Sequence, residues 1–214
     1  MQRALSDRDN IYLNLHMLRK AMWAVKKTMG IDTDYSKAIS RAKTYNNLRM
    51  FKKAINTYEQ AIFMQPENAE AYYHLGNTFS RLGMYNEAVN SYKQAIGNKS
   101  KYVEAMYKLS IACSKLGRIK EAIDITKRTI QMMPNMSAAH KNLGLLYGKS
   151  GSYEEAIGPL SKALEIEHNN TEARYTLIQY YLKLNDKNAA KREFMILQEH
   201  SPHTASKLSH EISA

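Results

Sequence analysis

Two sets of side chains recur in this chain at intervals of 34 residues or a multiple of 34, and they have the chemistry of molecular recognition. The first is a row of tyrosines, and each offers a large, stiff contact area with a hydroxyl at its tip. The second is a row of four cations, which would attract an acidic or C-terminal segment of a partner. The tyrosines are Tyr73, Tyr107 and Tyr175, and the cations are Arg81, Lys115, Lys149 and Lys183. These residue types favour non-covalent recognition over catalysis.

The sequence shows no set of residues typical of an active site. Its seven histidines form no His-Glu-x-x-His motif, and there is no Cys-x-x-Cys pair, glycine-rich phosphate loop or recognisable Ser or Cys nucleophile. His200, His203 and His210 are close in sequence, but a solvated tail is favoured over a metal site. We therefore expect no enzymatic activity, no catalytic residue, no cofactor and no bound metal.

The elements that carry these residues are predicted by a second repeated feature, an alanine that recurs at the same interval. It divides residues 35–202 into four windows of 34 residues and a last one of 32. Most windows have a large apolar residue followed by a small one, and an aromatic residue three positions after the small one. Glycine at position fifteen predicts a left-handed helix end. The windows are 35–68, 69–102, 103–136, 137–170 and 171–202, and the alanines are Ala54, Ala88, Ala122, Ala156 and Ala190. Each window therefore predicts two helices, and we call the windows repeats one to five.

The repeated pattern resembles that of the tetratricopeptide repeat (TPR) family, most clearly in the stretch AYYHLGNTFSRLGMYNEAVNSYKQAI. The resemblance covers about residues 35–202. It implies an all-α fold, a right-handed superhelix (α-solenoid) of about five helix-turn-helix repeats whose first helices line a concave groove. Residues 1–34 then form an extra N-terminal helical region, and residues 203–214 form a short C-terminal capping helix or tail.

The family resemblance also implies which residues face the groove, chiefly positions two, five, nine, twelve and thirteen of each first helix. On this basis we predict a partner-binding groove for an acidic or extended protein segment. Its candidate residues are Tyr73, Asn77, Arg81, Tyr107, Lys108, Lys115, Lys141, Asn142, Lys149, Tyr175 and Lys183. An alternative stays open for the cations, because position thirteen lies at a helix C-terminus, where Lys and Arg stabilise the helix dipole. Among these candidate residues no lysine is followed by an asparagine four residues later, which a carboxylate clamp of the chaperone-binding type requires.

The N-terminal region has an apolar seam with helical spacing, from about residue 10 to residue 29. A helix with this seam would cover the open end of repeat one, associate with another copy of the chain, or lie on an anionic membrane surface. The residues that we assign to self-association are Ile11, Leu15, Leu18, Met22, Trp23 and Val25. At the other end, Thr204 is a candidate helix cap, and Leu208 and Ile212 are spaced to cover the last repeat.

The net charge of +11 favours an anionic partner. Nucleic acid is disfavoured, because the chain lacks Lys/Arg-rich blocks and the aromatic signatures of nucleic-acid modules. The lone cysteine, Cys113, occupies a core position of repeat three, and a single thiol fits a reducing compartment. The longest apolar runs are too short to span a bilayer. We expect a cytoplasmic protein that binds protein partners, with peripheral association with an intracellular membrane as an alternative.

A narrower resemblance concerns the N-terminal region and the start of repeat one. The stretches IYLNLHMLRKAMWAVKKTMGI and YSKAISRAKTYNNLRMFKKAI are similar to the magnetosome-associated TPR proteins of magnetotactic bacteria. That resemblance implies a scaffold that self-assembles through its N-terminal part at magnetosome vesicles and recruits other proteins there. Bacterial TPR adaptors of pilus or secretion assembly remain an alternative.

Overall fold

The computed structural model describes residues 34–209 together with Ala21, Val25 and Ile212. Within residues 34–209 the regular elements are all α-helices. They are α1 (Tyr35–Asn47), α2 (Phe51–Met64), α3 (Ala69–Arg81), α4 (Tyr85–Asn98), α5 (Val103–Lys115), α6 (Ile119–Met132), α7 (Ser137–Lys149), α8 (Tyr153–Ile166), α9 (Thr171–Lys183), α10 (Lys187–His200) and α11 (Pro202–Ser206). The predicted all-α fold is confirmed.

The helices follow one another as pairs that share one design. In every pair the first helix has 13 residues and the second has 14, and the two pack on each other. The five first helices begin at Tyr35, Ala69, Val103, Ser137 and Thr171, which are the first residues of the five repeats. Residues 35–200 therefore consist of helix-turn-helix repeats.

These repeats form two compact units that divide at Ser100. The N-terminal unit contains repeats one and two, with helices α1 to α4. The C-terminal unit contains repeats three, four and five, with helices α5 to α11. Within each unit the second helix of a repeat also packs on the first helix of the following repeat, which joins successive repeats.

The turn between the two helices of each repeat has a left-handed residue at position fifteen, as predicted. The φ angles are 75° at Gly83, 76° at Gly117 and 83° at Gly151, and Asn185 has a φ of 59°. Arg49 adopts the same conformation with a φ of 58°, although a side chain in this region costs about 1–2 kcal/mol. Repeat geometry therefore overrides the local preference of this arginine.

The repeated alanines lie in the core, and all five are fully buried. The small residue at position eight allows a close approach between the helices. A methyl group on Gly76 would lie 2.7 Å from Tyr92 Cε1, and one on Gly144 would lie 2.5 Å from Leu160 Cγ. Real side chains do not pack at such distances, so the glycines set how tightly the helix pairs close.

The C-terminal segment covers the last repeat, but its helix begins earlier than predicted. Pro202 is the first residue of α11, and Ser201 is its N-cap residue. Thr204 lies inside the helix, so its prediction as the cap is wrong; the Ser201 hydroxyl instead donates to Thr204 Oγ1 at 2.9 Å. Proline is well suited to a first helical position because its missing N–H has no helical partner there. Leu208 is fully buried against Ile178 and Leu197, so the predicted cover is confirmed.

Candidate partner-binding surface

In the C-terminal unit the three first helices present residues five, nine and thirteen on one face. Residues four apart lie above one another on a helix, so each trio forms a stripe. The stripes are Tyr107, Ile111 and Lys115 on α5; Lys141, Leu145 and Lys149 on α7; and Tyr175, Gln179 and Lys183 on α9. The residue at position thirteen is exposed in every stripe, whereas those at positions five and nine are half-buried. The face therefore combines aromatic or apolar contact area with a row of cations.

The two tyrosines of this face are held by the core on one side. Burial raises the pKa of Tyr107 above its usual value, and the ammonium of Lys108 lies 6.0 Å from the centroid of the Tyr107 ring. Tyr175 packs on the core cluster that contains Ile178 and Leu197. Its hydroxyl accepts a hydrogen bond from Gln179 Nε2 at 3.4 Å. Each ring is a partly exposed, positioned contact surface rather than a freely rotating side chain.

Two other predicted groove residues hold the helices of this unit together. Lys141, whose side chain is 20% exposed, forms an ion pair with Glu172, the second residue of α9. The amide nitrogen of Asn142 donates to Ser110 Oγ at 2.9 Å and to Thr126 Oγ1 at 3.2 Å. The charge of Lys141 is thus already balanced within the protein, and Asn142 links α7 to both helices of repeat three.

The cation at position thirteen also reaches the preceding repeat. Lys149 Nζ donates to Ser114 Oγ at 2.8 Å, one residue before the end of α5. In the N-terminal unit the Arg81 guanidinium donates to the Asn46 carbonyl oxygen at 3.1 Å and lies 5.3 Å from the centroid of the Phe51 ring. A cation beside the carbonyl groups that end a helix stabilises the helix dipole, so these contacts support a structural role for Arg81 and Lys149.

Two predicted groove residues of the N-terminal unit, Tyr73 and Asn77, contact the same core tyrosine, Tyr92. The Tyr73 ring meets His74 edge-on, with centroids 5.2 Å apart, and its centroid lies 6.2 Å from that of Tyr92. The Tyr92 hydroxyl donates to Asn77 Oδ1 at 2.8 Å. Asn77 therefore orients a core tyrosine, and Tyr73 is only half-buried beside it.

A polar cluster next to Tyr73 was not singled out from the sequence. Lys43 Nζ donates to Glu70 Oε1 at 2.7 Å, and His74 Nε2 lies 3.5 Å from the same oxygen. The bond from Lys43 lowers the pKa of Glu70, whereas burial lowers the pKa of His74. Burial also raises the pKa of Tyr58 to about 12, and its hydroxyl has no hydrogen-bond partner among the described residues. The i, i+4 spacing of Glu70 and His74 was the available signal for this cluster.

The predicted self-association helix lies almost entirely outside the described residues. Ile11, Leu15, Leu18, Met22 and Trp23 are among those not described, and Val25 is a helical residue with 56% of its surface exposed. Among the residues that the structure describes, no helix is long and apolar enough to cross a membrane. The same residues contain no group of three His, Cys, Asp or Glu side chains arranged to hold a metal.

Comparison with known proteins agrees with this geometry. Residues 50–83 match a TPR repeat family model, and residues 69–102 match a tetratricopeptide repeat model. Together with the five helix pairs of the same design in the described part of the chain, these matches support the tetratricopeptide repeat superfamily as the class of this chain. Proteins of this superfamily are interaction modules, so the fold supports a protein-binding scaffold.

Solved structures add a narrower likeness. The chain is similar to the crystal structure of MamA, with 25% identity and a TM-score of 0.73 over 77% of this chain and 96% of that one. It is also similar to YrrB, described as a TPR protein with an unusual peptide-binding site: 20% identity, a TM-score of 0.71, and coverage of 87% and 97%. MamA from Desulfovibrio magneticus RS-1 is 17% identical, with a TM-score of 0.74 and coverage of 78% and 95%. The last two show the fold alone. No curated protein matches the sequence.

Proposed function

We propose that this protein is a non-enzymatic scaffold that binds an acidic or extended segment of a protein partner. The binding surface is the face formed by positions five, nine and thirteen of the first helices, which we call the first-helix face. The observation that carries the proposal is the face of the C-terminal unit. Tyr107 and Tyr175 are fixed by the core yet half-exposed, and each is followed on the same stripe by an outward-facing lysine. Rigid tyrosines give contact area at a small entropic cost, and lysines attract carboxylates, so the combination suits an acidic segment laid across the helices.

Replacement of the position-five tyrosines tests this proposal. We would immobilise the full chain, capture partners from a cell extract, identify them by mass spectrometry, and repeat the capture with Tyr73, Tyr107 and Tyr175 all changed to alanine. The alanine variant should lose the captured partner, because it removes the exposed aromatic area. A matched variant with three phenylalanines keeps the rings and should retain most of the capture. Circular dichroism must show equal helicity, and undiminished capture by a folded alanine variant would contradict the proposal.

A second function, self-assembly through the N-terminal helix, is favoured by the apolar seam of that region and by the 25% identity to MamA. In this proposal residues 1–34 associate with another copy, and the assembled scaffold lies at an intracellular membrane such as that of the magnetosome. Light scattering of the full chain and of a chain that begins at Thr33 tests it. Masses of one chain for both would contradict self-assembly through this helix.

Membrane binding is distinguished by a separate experiment. If the basic N-terminal helix itself binds lipid, the full chain should sediment with vesicles that contain anionic lipid, and Trp23→Ala should reduce the bound fraction. An absence of sedimentation, or sedimentation that depends on neither anionic lipid nor Trp23, would contradict lipid binding by this helix.

A further inference from the structure

A cavity of about 750 Å³ lies between repeats four and five of the C-terminal unit. The last residues of α7 and α9 and the first residues of α8 and α10 line it, so it sits at the end of the helices where both turns occur. The side chains that give it chemical character are Lys149, Tyr153, Tyr180, Lys183 and Lys187. We call these five residues the lysine–tyrosine pocket.

The pocket has a one-sided charge. Three of its lining residues are lysines, and none of the described residues that line it is acidic. Asp186 precedes Lys187, but its carboxylate accepts a hydrogen bond from the Ala189 backbone N–H at 2.9 Å and so caps α10. Lys149 donates to Ser114 Oγ, and an ammonium group has two further N–H donors. A concave site lined by positive charges raises the local concentration of anions.

The tyrosines form a wall with hydroxyl donors. The rings of Tyr153 and Tyr180 are tilted by 53°, with centroids 5.2 Å apart. Burial and the proximity of Tyr153 raise the pKa of Tyr180, so its hydroxyl stays protonated at neutral pH and can donate to an anion. Aromatic rings of this kind also give a ligand apolar contact area.

The pocket depends on a combination of residues that occurs once in the repeats. A methyl group on Gly148 would overlap the Tyr180 hydroxyl oxygen, so this tyrosine fits only because position twelve of repeat four is glycine. The same position holds Asn46, Ser80, Ser114 and Leu182 in the other repeats, and tyrosine occurs at position ten only in repeat five. The pocket is therefore a feature of this junction and not of the repeat design.

The pocket is continuous with the stripe on α9. Gln179 lines the cavity and donates to the Tyr175 hydroxyl, while Lys183 belongs both to the stripe and to the pocket. A segment that contacts Tyr175 would thus reach Lys183 slightly more than two helical turns away on the same helix. Residues 175 and 183 are eight positions apart, and at a rise of about 1.5 Å each they span about 12 Å, the length of about four extended residues.

We propose that the lysine–tyrosine pocket binds clustered carboxylates of the partner segment and anchors one end of that segment on the C-terminal unit. This inference rests on the proposed function, because it assigns an acidic protein segment as the ligand. The lysines supply the charge, the Tyr153 and Tyr180 hydroxyls supply hydrogen-bond donors, and Gln179 lies on the path to Tyr175. The pocket gives the scaffold a preference for partners with an acidic cluster about four residues from an apolar or aromatic contact.

The test uses the full chain labelled with ¹⁵N and an unlabelled peptide of six glutamates, blocked at both ends, as the probe. Peptide addition should shift the amide signals of Gly148, Lys149 and Lys183 and the side-chain amide of Gln179. A variant with Lys149, Lys183 and Lys187 changed to glutamine should bind at least tenfold more weakly. The matched control changes the exposed Lys52, Lys101 and Lys120 to glutamine, which alters the net charge equally and should change the affinity less than twofold.

Two further arms test for a free-anion site and for the role of the Tyr180 position. Inorganic phosphate is titrated in place of the peptide, and equal shifts at the same concentration would overturn the proposal in favour of a site for free anions. Gly148→Ala should displace Tyr180 and weaken peptide binding without a change of charge. Shifts confined to signals outside the pocket, or equal weakening in both lysine variants, would also overturn it.

The outcomes separate this inference from the proposed function. If the glutamate peptide does not bind the pocket but capture of the partner still depends on Tyr73, Tyr107 and Tyr175, only the pocket proposal is wrong. If the peptide binds the pocket and capture does not depend on the tyrosines, the first-helix face is the wrong site and the pocket stands.

Discussion

The two units use the same repeat positions in different ways. In the N-terminal unit Asn77 at position nine binds the Tyr92 hydroxyl, and Arg81 at position thirteen binds the end of α1. In the C-terminal unit the corresponding residues of repeat five, Gln179 and Lys183, line an open cavity. The position in the repeat determines where a side chain leaves the backbone. The contacts with the neighbouring helix determine whether that side chain stabilises the fold or remains accessible to a partner. Substitutions at matched positions of the two units test this difference.

The largest expected effect is at position eight, where Gly144 and Gly76 contact different neighbours. Gly144→Ala should lower the free energy of unfolding by about 3 kcal/mol, since the methyl group meets Leu160 and the Ala156 carbonyl oxygen. Gly76→Ala meets the Tyr92 ring and should cost about 2 kcal/mol. Urea unfolding followed by circular dichroism measures both. Gly97→Ala, which has open space around it, is the control and should cause no loss; an equal loss there would contradict a steric cause.

The second comparison concerns ion pairs between helices. The Arg174 and Glu193 side chains are 10% and 25% exposed, whereas Lys43 and Glu70 are each 43% exposed. Glu193→Ala leaves a largely buried guanidinium without its carboxylate and should cost about 2 kcal/mol, somewhat less than a fully buried pair. Glu70→Ala should cost less than about 1 kcal/mol, because solvent screens the exposed pair. Chemical unfolding measures the stability of both variants. A larger loss of stability for Glu70→Ala than for Glu193→Ala would contradict the stronger contribution that we assign to the Arg174–Glu193 pair.

The third comparison concerns the left-handed residue at position fifteen. Arg49→Gly should stabilise the N-terminal unit by about 1 kcal/mol, because it removes the steric cost of a side chain at a φ of 58°. Asn185→Gly should change the free energy of unfolding by only a few tenths of a kcal/mol, since asparagine tolerates this conformation. Thermal unfolding of each variant measures the effect. Stabilisation by Asn185→Gly as large as that of Arg49→Gly would show that the residue type does not matter here.

The smallest expected effect is a pH dependence of stability that arises in the N-terminal unit. Burial lowers the pKa of His74, which faces Glu70, Lys43 and the rings of Tyr58 and Tyr73. The unfolded chain takes up this proton near pH 6.5, whereas the folded unit resists it. The stabilisation is therefore complete above about pH 6.5 and is lost as the pH falls through the lower pKa of the folded state.

The corresponding experiment compares the thermal midpoint at about pH 7.5 and at about pH 5, on either side of the ordinary histidine pKa. His74→Gln should show a smaller decrease in the thermal midpoint between the two pH values, because the glutamine side chain does not titrate. His168→Gln in the C-terminal unit, where the residue is exposed, is the matched control and should keep the decrease of the unchanged protein. Equal pH profiles for all three proteins would rule out His74 as the titrating group.

The repeat frame was predictable from sequence because each repeat shows the same local pattern. The glycines at position fifteen have the predicted left-handed conformation, and the terminal Leu208 is buried as predicted. The use of the surface residues was not predictable in the same way. Asn142 and Lys141 are engaged by Ser110, Thr126 and Glu172, which belong to other helices and are distant in sequence.

The pocket shows the same limit. Lys149 and Lys183 were predicted as members of a cation row, but Tyr153, Tyr180 and Lys187 were not singled out. Their proximity follows from the pairing of Gly148 with Tyr180, which breaks the repeat pattern at one position in each of two adjacent repeats. Repetition predicts contacts that recur, and a site formed by departures from the repeat needs the three-dimensional structure.

The burial of Cys113 provides a probe of motion in the C-terminal unit. The single cysteine of the chain is fully buried within α5, so a thiol reagent can reach its Sγ only when that helix opens. The alkylation rate at low denaturant therefore reports the free energy of local opening in repeat three. Slower alkylation in the presence of a partner would show that binding stabilises this repeat, with no label on the binding surface itself.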